Sequence, residues 1–328
     1  MMARMPVLLT ASASPSLLHS LTHLDWGYAA GAVAAELGSM TSSARSQRRL
    51  LQVDGDRLPL RSALGVAFGS TAIANTVPLA GMGMGAAFSY KHFQREGVRD
   101  ATVGWALTVS GVMSALTFAA LMTAGALMVG SSSALVLGLS GAALNAVPVL
   151  VLLAAVRFAR VRRLLTKATR FVAGLWSRLR RRDPATAGQG IESLLERAGS
   201  VHATGGRYAL ATLHALRTWT CDCLCLAFAI AATGHSFPVH GFLLAYCTAM
   251  TAAGFGLVPG GIGVVEATLT GTLVGLGLPA ARAFPAVIVY RVISLGLVAV
   301  AGWTVALRMN NRLRRAEDRA RVVPVADR

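Results

Sequence analysis

Charge is scarce in this chain, and acidic charge is scarcer still. Only 14% of its 328 residues are charged, with 14 Asp and Glu against 31 Lys and Arg, whereas soluble domains carry roughly 25% charge. Beside a hydrophobic content of 54% and a mean hydropathy of +0.58, that shortage excludes an ordinary soluble domain. Cysteine is sparse as well. Cys221, Cys223, Cys225 and Cys247 form no CxxC pair, so neither a zinc site nor a disulfide framework is expected. On a helix Cys221 and Cys225 share a face and Cys223 does not, and all four read as small apolar residues. HExxH, P-loop, GxSxG and dinucleotide motifs are missing. No catalytic residue, metal or cofactor is therefore expected, and an enzyme is not the leading reading. The short alternating strands of an outer-membrane barrel are missing too.

What is present is a series of apolar runs, each near or above the ~20 residues that cross a bilayer as a helix. The expected fold class is an all-α polytopic membrane protein of about seven or eight spans. The net charge of +17 does not point to nucleic acid, because of where it lies. Residues 157–207 hold twelve of the 31 basic residues and residues 308–328 hold seven. Both groups flank apolar spans, where Lys and Arg mark the cytoplasmic side and favour anionic lipid headgroups. The expected location is the plasma (inner) membrane, multi-pass, with the 157–206 loop and the C-terminal tail in the cytoplasm.

Residues 1–24 are an uncertain N-terminal segment, a weak or missing first span. The first membrane half is 25–156. It has a weak span near 25–44, diluted by Glu36 and serines, and a basic loop at 45–61. An apolar region at 62–90 follows, broken near 75–87, then a loop at 91–100 and spans near 102–130 and 133–156. The basic loop 157–206 includes an amphipathic basic stretch at 170–182. The second membrane half, 207–307, has a span near 207–233, a broken region at 239–277 and a span near 280–307. The basic tail 308–328 is expected to lack fixed structure.

The second half echoes the first. A shift of 180 positions lays Gly81 on Gly261, Gly83 on Gly263 and Gly97 on Gly277, and brings Pro78 within one residue of Pro259. With the basic loops placed inside, the first broken region begins and ends inside, and the second begins and ends outside. The two halves then have opposite orientations: an inverted-topology repeat with two broken helix regions, either hairpins or re-entrant, as in many secondary transporters.

Irregular backbone at membrane depth is tolerated only where protein or a water-filled cavity covers it. The motif "PGGIGVVE" (259–266) therefore raises a site. A half-helix beginning after Gly261 aims free N–H groups and a partial positive charge at its start, which suits an anion. Glu266 is either a functional acid or a cap of that half-helix. "GMGMG" (81–85) taken alone reads as close helix packing. Arg217 and Asp222 lie in one span, and Arg291 lies in the middle of another. Asp222 is expected to meet Arg291 or Arg217. Arg291 either pairs with Glu266 or Asp222 or clamps a headgroup phosphate.

The stretch from Val258 to Trp303 is similar to the C-terminal signature of the lysylphosphatidylglycerol synthase transmembrane-region family of flippase-like integral membrane proteins. The family's Pro-Gly-Gly-x-Gly-x-x-Glu corresponds to Pro259, Gly260, Gly261, Gly263 and Glu266, and its Tyr-Arg to Tyr290 and Arg291. Its first-half Pro and Gly motif corresponds to Pro78, Gly81 and Gly83. Three features depart from the pattern. An acidic residue often found in the first-half motif gives way to Gly83-Met84-Gly85-Ala86, the first span is weak, and the soluble aminoacyl-transferase domain of the best-known members is absent. The resemblance implies a lipid flippase-like module whose partners are membrane lipids, with anionic headgroups, and gives no support to aminoacyl-lipid synthesis. The alternative is a non-transporting membrane anchor for a separate synthase or glycosyltransferase, docked through the 157–206 loop. A membrane-embedded transferase would have only Glu266 or Asp222 as a base.

Overall fold

A computed structural model describes residues 24–55, 58–158, 163, 164, 167, 205–234, 239–254 and 258–322. Most of segment 1–24, nearly all of loop 157–206 with its stretch at 170–182, and the last six residues lie outside the described residues. Within them the chain is all-α, with no strand. The helices are α1 (Trp26–Leu51), α2 (Leu60–Thr76), α3 (Gly81–Arg95), α4 (Asp100–Val129), α5 (Ser132–Arg157), α6 (Gly205–Ala232), α7 (Val239–Ala253), α8 (Val264–Gly275), α9 (Ala280–Arg291) and α10 (Val298–Val322). A π turn, Val292–Leu297, joins α9 to α10. Four of the described helices are long and apolar enough to cross a membrane: Asp100–Val129, Ser132–Val151, Gly205–Ala232 and Ala280–Asn311.

Local chemistry sets the ends. Asp25 caps α1 by accepting from the amides of Gly27 and Tyr28 at 2.8 and 3.3 Å. The helix then runs past residue 44, where the sequence suggested a basic loop, because no Gly or Pro stands between 39 and 54. Its end is held by Arg48, whose Nε donates to the Leu58 carbonyl at 2.6 Å. α2 stops at Val77, whose backbone turns extended before Pro78, as the residue ahead of a proline prefers. Ser131 caps α5. The basic tail departs from expectation: α10 carries it in helix as far as Val322. Nothing between Gly302 and Pro324 breaks a helix, and Arg, Ala and Glu favour one.

Helix lengths follow one order twice. α1 to α4 have 26, 17, 15 and 30 residues. α6, α7, α8 and the rod Ala280–Asn311 have 28, 15, 12 and 32. The packing is exchanged in the same sense. α1 lies along α6, α2 packs on α10, and α7 packs on α4. Both exchanged contacts use a glycine where two backbones meet. A Cβ on Gly302 would stand 2.3 Å from the Phe68 carbonyl oxygen, and one on Gly125 would stand 2.9 Å from the Leu244 amide nitrogen. Small residues allow this closeness in membranes. α5 stands at the edge and turns Val136, Leu139, Val147 and Leu150 outward, a face suited to lipid.

Candidate functional site

The two breaks differ in construction. In the first, Val77 is extended, Leu79 takes a left-handed backbone (φ 60°), and the Ala80 amide donates to the Pro78 carbonyl at 2.6 Å. α3 then starts at Gly81, where a Cβ would come 2.3 Å from the Ala74 carbonyl oxygen. Only glycine lets the chain fold back this tightly. In the second break Pro259–Gly261 form a 3₁₀ turn, with Gly260, Gly261 and Gly263 all at positive φ. Gly260 lies against the other break: a Cβ there would stand 3.1 Å from the Asn75 carbonyl oxygen.

The donors expected to lie open near Gly261 are taken. The Gly261 amide donates to the Val258 carbonyl at 3.0 Å and the Ile262 amide to the Pro259 carbonyl at 3.1 Å. The half-helix begins at Val264, and Glu266, in its first turn, reaches back to accept from the Gly263 amide at 2.6 Å. Its other carboxylate oxygen accepts from Arg291 Nε at 2.7 Å. Arg291 also donates to the Gly260 carbonyl. Glu266 is thus a cap and an ion-pair partner at once, and Arg291 ties α9 to the break.

A second cluster lies deeper. Asp222 on α6 accepts from the hydroxyl of Tyr246 at 2.5 Å and from that of Tyr290 at 3.0 Å, one on each carboxylate oxygen. Neither Arg291 nor Arg217, the cations expected to meet it, bonds to it; the tyrosine hydroxyls do, and Arg291 reaches it by charge alone. Arg217 is exposed. Glu36 on α1 meets Asp222 carboxyl to carboxyl. It is 3% exposed, and no donor reaches its Oε2.

Both clusters open on one cavity of about 500 Å³. Of the residues singled out in the sequence, Gly81, Gly260, Gly261, Asp222, Tyr290 and Arg291 line it. Pro78, Gly83, Pro259, Gly263 and Glu266 shape or brace the breaks without lining it. Glu36, Ser39, Ser43 and Asn75 line it as well, and sequence reasoning passed over them. The signal was present for Glu36, since an acid inside an apolar helix marks a functional position. Its dilution of the span's hydropathy conceals that signal.

The family described as lysylphosphatidylglycerol synthase TM region matches residues 7–302. No curated protein matches the chain. The match takes in both breaks, the cavity and all the helices that line it, and by it the chain is a membrane protein that belongs to the lysylphosphatidylglycerol synthase TM region family.

Proposed function

We propose that this protein moves a phospholipid, or a lipid-linked headgroup, between membrane leaflets. The observation that carries this reading is the cavity at which both helix breaks meet. Its volume, about 500 Å³, suits a headgroup and falls within the roughly 300–1,000 Å³ of small-molecule sites. Membrane interiors rarely hold charge without function, and this cavity is lined by Arg291, Asp222 and Glu36. In this reading Arg291 meets the headgroup phosphate, and Gly81 and Gly261 keep side chains out of its way. Glu266 steadies Arg291 and takes no direct part.

The exchanged packing of α1–α4 and α6–α10 supports two inverted halves that rock about the α1–α6 seam and expose the cavity to each leaflet in turn. The reading includes the plasma membrane as location, with loop 157–206 and the tail in the cytoplasm, and no catalysis by this chain.

The test is leaflet exchange of labelled phospholipids in liposomes holding the purified chain. Exchange well above protein-free liposomes is expected, falling at least tenfold for Arg291→Ala and for Ser43→Leu, which narrows the cavity away from the ion pair. Exchange by the intact protein that neither substitution alters would overturn the site. No exchange by a well-folded chain would overturn the function and leave the membrane-anchor reading.

A further inference from the structure

The Glu36–Asp222 pair has no part in binding the headgroup as described above. It occupies a particular place. Glu36 belongs to α1 and Asp222 to α6, the helices that open the two halves and pack along each other. A carboxyl pair on that seam senses any change in how the halves meet.

The two acids are provided for unequally. Asp222 has a hydroxyl donor on each oxygen, from Tyr246 and Tyr290. Glu36 is 3% exposed, faces the cavity, and has an oxygen that no donor reaches. The cation in the same cavity, Arg291, is bonded to Glu266 and the Gly260 carbonyl and reaches Asp222 by charge alone, without a hydrogen bond to either acid of the pair. The other ionisable groups facing the pair are Tyr246 on α7, Tyr290 on α9, and Cys223 and Cys225 on α6. None of these brings positive charge. Two contacting carboxyls in a poorly solvated place repel when both are ionised, and one shared proton removes that repulsion. A metal ion is less well served, since among the described residues no group of three or more His, Cys, Asp or Glu is placed to hold one.

We propose that Glu36 and Asp222 form a proton-binding site on the α1–α6 seam, with Glu36 as the proton carrier, and that proton uptake and release there are coupled to movement of the headgroup. With the proton bound, the carboxyls close on each other and the seam holds. With it released, the two charges part and favour the other arrangement of the halves. The site rests on its own geometry, and the coupling rests on the translocation reading.

Two measurements on the purified chain in liposomes separate these parts. Infrared difference spectra across a pH step report the carboxyl proton directly. A protonated-carboxyl band is expected in the intact protein, lost in Glu36→Gln and kept, shifted, in Glu36→Asp. No Glu36-dependent band would overturn the site. Lipid exchange is then followed with and without a pH difference across the membrane. One pH unit biases a cycle that carries one proton about tenfold. That bias is expected in the intact protein and in Glu36→Asp, and its absence is expected in Glu36→Gln, with an unchanged melting temperature showing that the variant folds. Exchange that ignores the pH difference, or follows sodium instead, overturns the coupling and spares translocation. A Glu36-dependent band with no exchange at all spares the proton site and overturns translocation. Loss in Glu36→Gln of exchange for amine headgroups alone, at any pH difference, assigns the pair to the headgroup and overturns the proposal.

Discussion

Replacing Glu266 with Gln tests the geometry of the second break most sharply. The carboxylate uses both oxygens as acceptors, one at 2.6 Å from the Gly263 amide and one at 2.7 Å from Arg291 Nε. Glutamine has one acceptor oxygen, so its NH2 must face one of those two donors. The pair is well covered, with side-chain exposures of 11% and 16%, which takes it out of the class of surface ion pairs worth about 0–1 kcal/mol. Removing one member of a buried pair costs about 3–5 kcal/mol, because the other is left uncompensated. Arg291→Gln should cost a similar amount, since it also strips the Gly260 carbonyl of a donor. The two losses concern one contact. The double variant should therefore lose about as much as the worse single variant, giving a coupling energy of about 3 kcal/mol. Reversible unfolding of the four proteins in a membrane mimic measures it. Additivity within about 0.5 kcal/mol would refute the claim that Glu266 and Arg291 act as one brace.

Gly302→Ala should destabilise by about 1–3 kcal/mol, because its Cβ would press on the Phe68 carbonyl. Gly83→Ala, in open space within α3, should be neutral or stabilising by up to about 1 kcal/mol; thermal unfolding compares the two, and equal losses would contradict the close α2–α10 crossing. Opposed halves predict that Lys91→Cys and Ala281→Cys, both at exposed positions, react with an impermeant thiol reagent from opposite sides of the membrane in a background without the native cysteines. Labelling from one side alone would overturn the inverted arrangement.

The parts legible in the sequence were those that local rules control. Pro78 and the run Pro259–Gly263 marked the breaks because proline and glycine act within a few residues of themselves. Long apolar runs marked α4, α5, α6 and α9–α10 for the same reason. α1 was less legible. Glu36, Ser39, Ser42 and Ser43 dilute its hydropathy, yet Glu36, Ser39 and Ser42 are buried, so α1 turns a polar face into the protein and need not look like a lipid-exposed helix. The partner of Arg291 depends on how α8 lies against α9, and sequence spacing left both Glu266 and Asp222 open. The tyrosines on Asp222 come from two other helices, and a hydroxyl donor leaves no trace in charge patterning.

The structure also changes which residue answers to Glu266 in the first half. A shift of 180 pairs it with Ala86, but helix position pairs it differently. Glu266 is the third residue of α8, and the third residue of α3 is Gly83. One half-helix therefore carries its own carboxylate over its first turn, and the other has no side-chain cap. Gly81 and Met82, at the start of α3, line the cavity. A phosphate drawn to a helix start finds α8 already neutralised and α3 open. Gly83→Glu would place an acid at α3 where a Cβ meets nothing within 4 Å. Glutamate there should slow exchange of a phosphate headgroup at least tenfold, while Gly83→Gln, of the same size, should leave it nearly unchanged. Equal effects from the two would mean that bulk alone matters at this position, and that α3 contributes no field to the cavity.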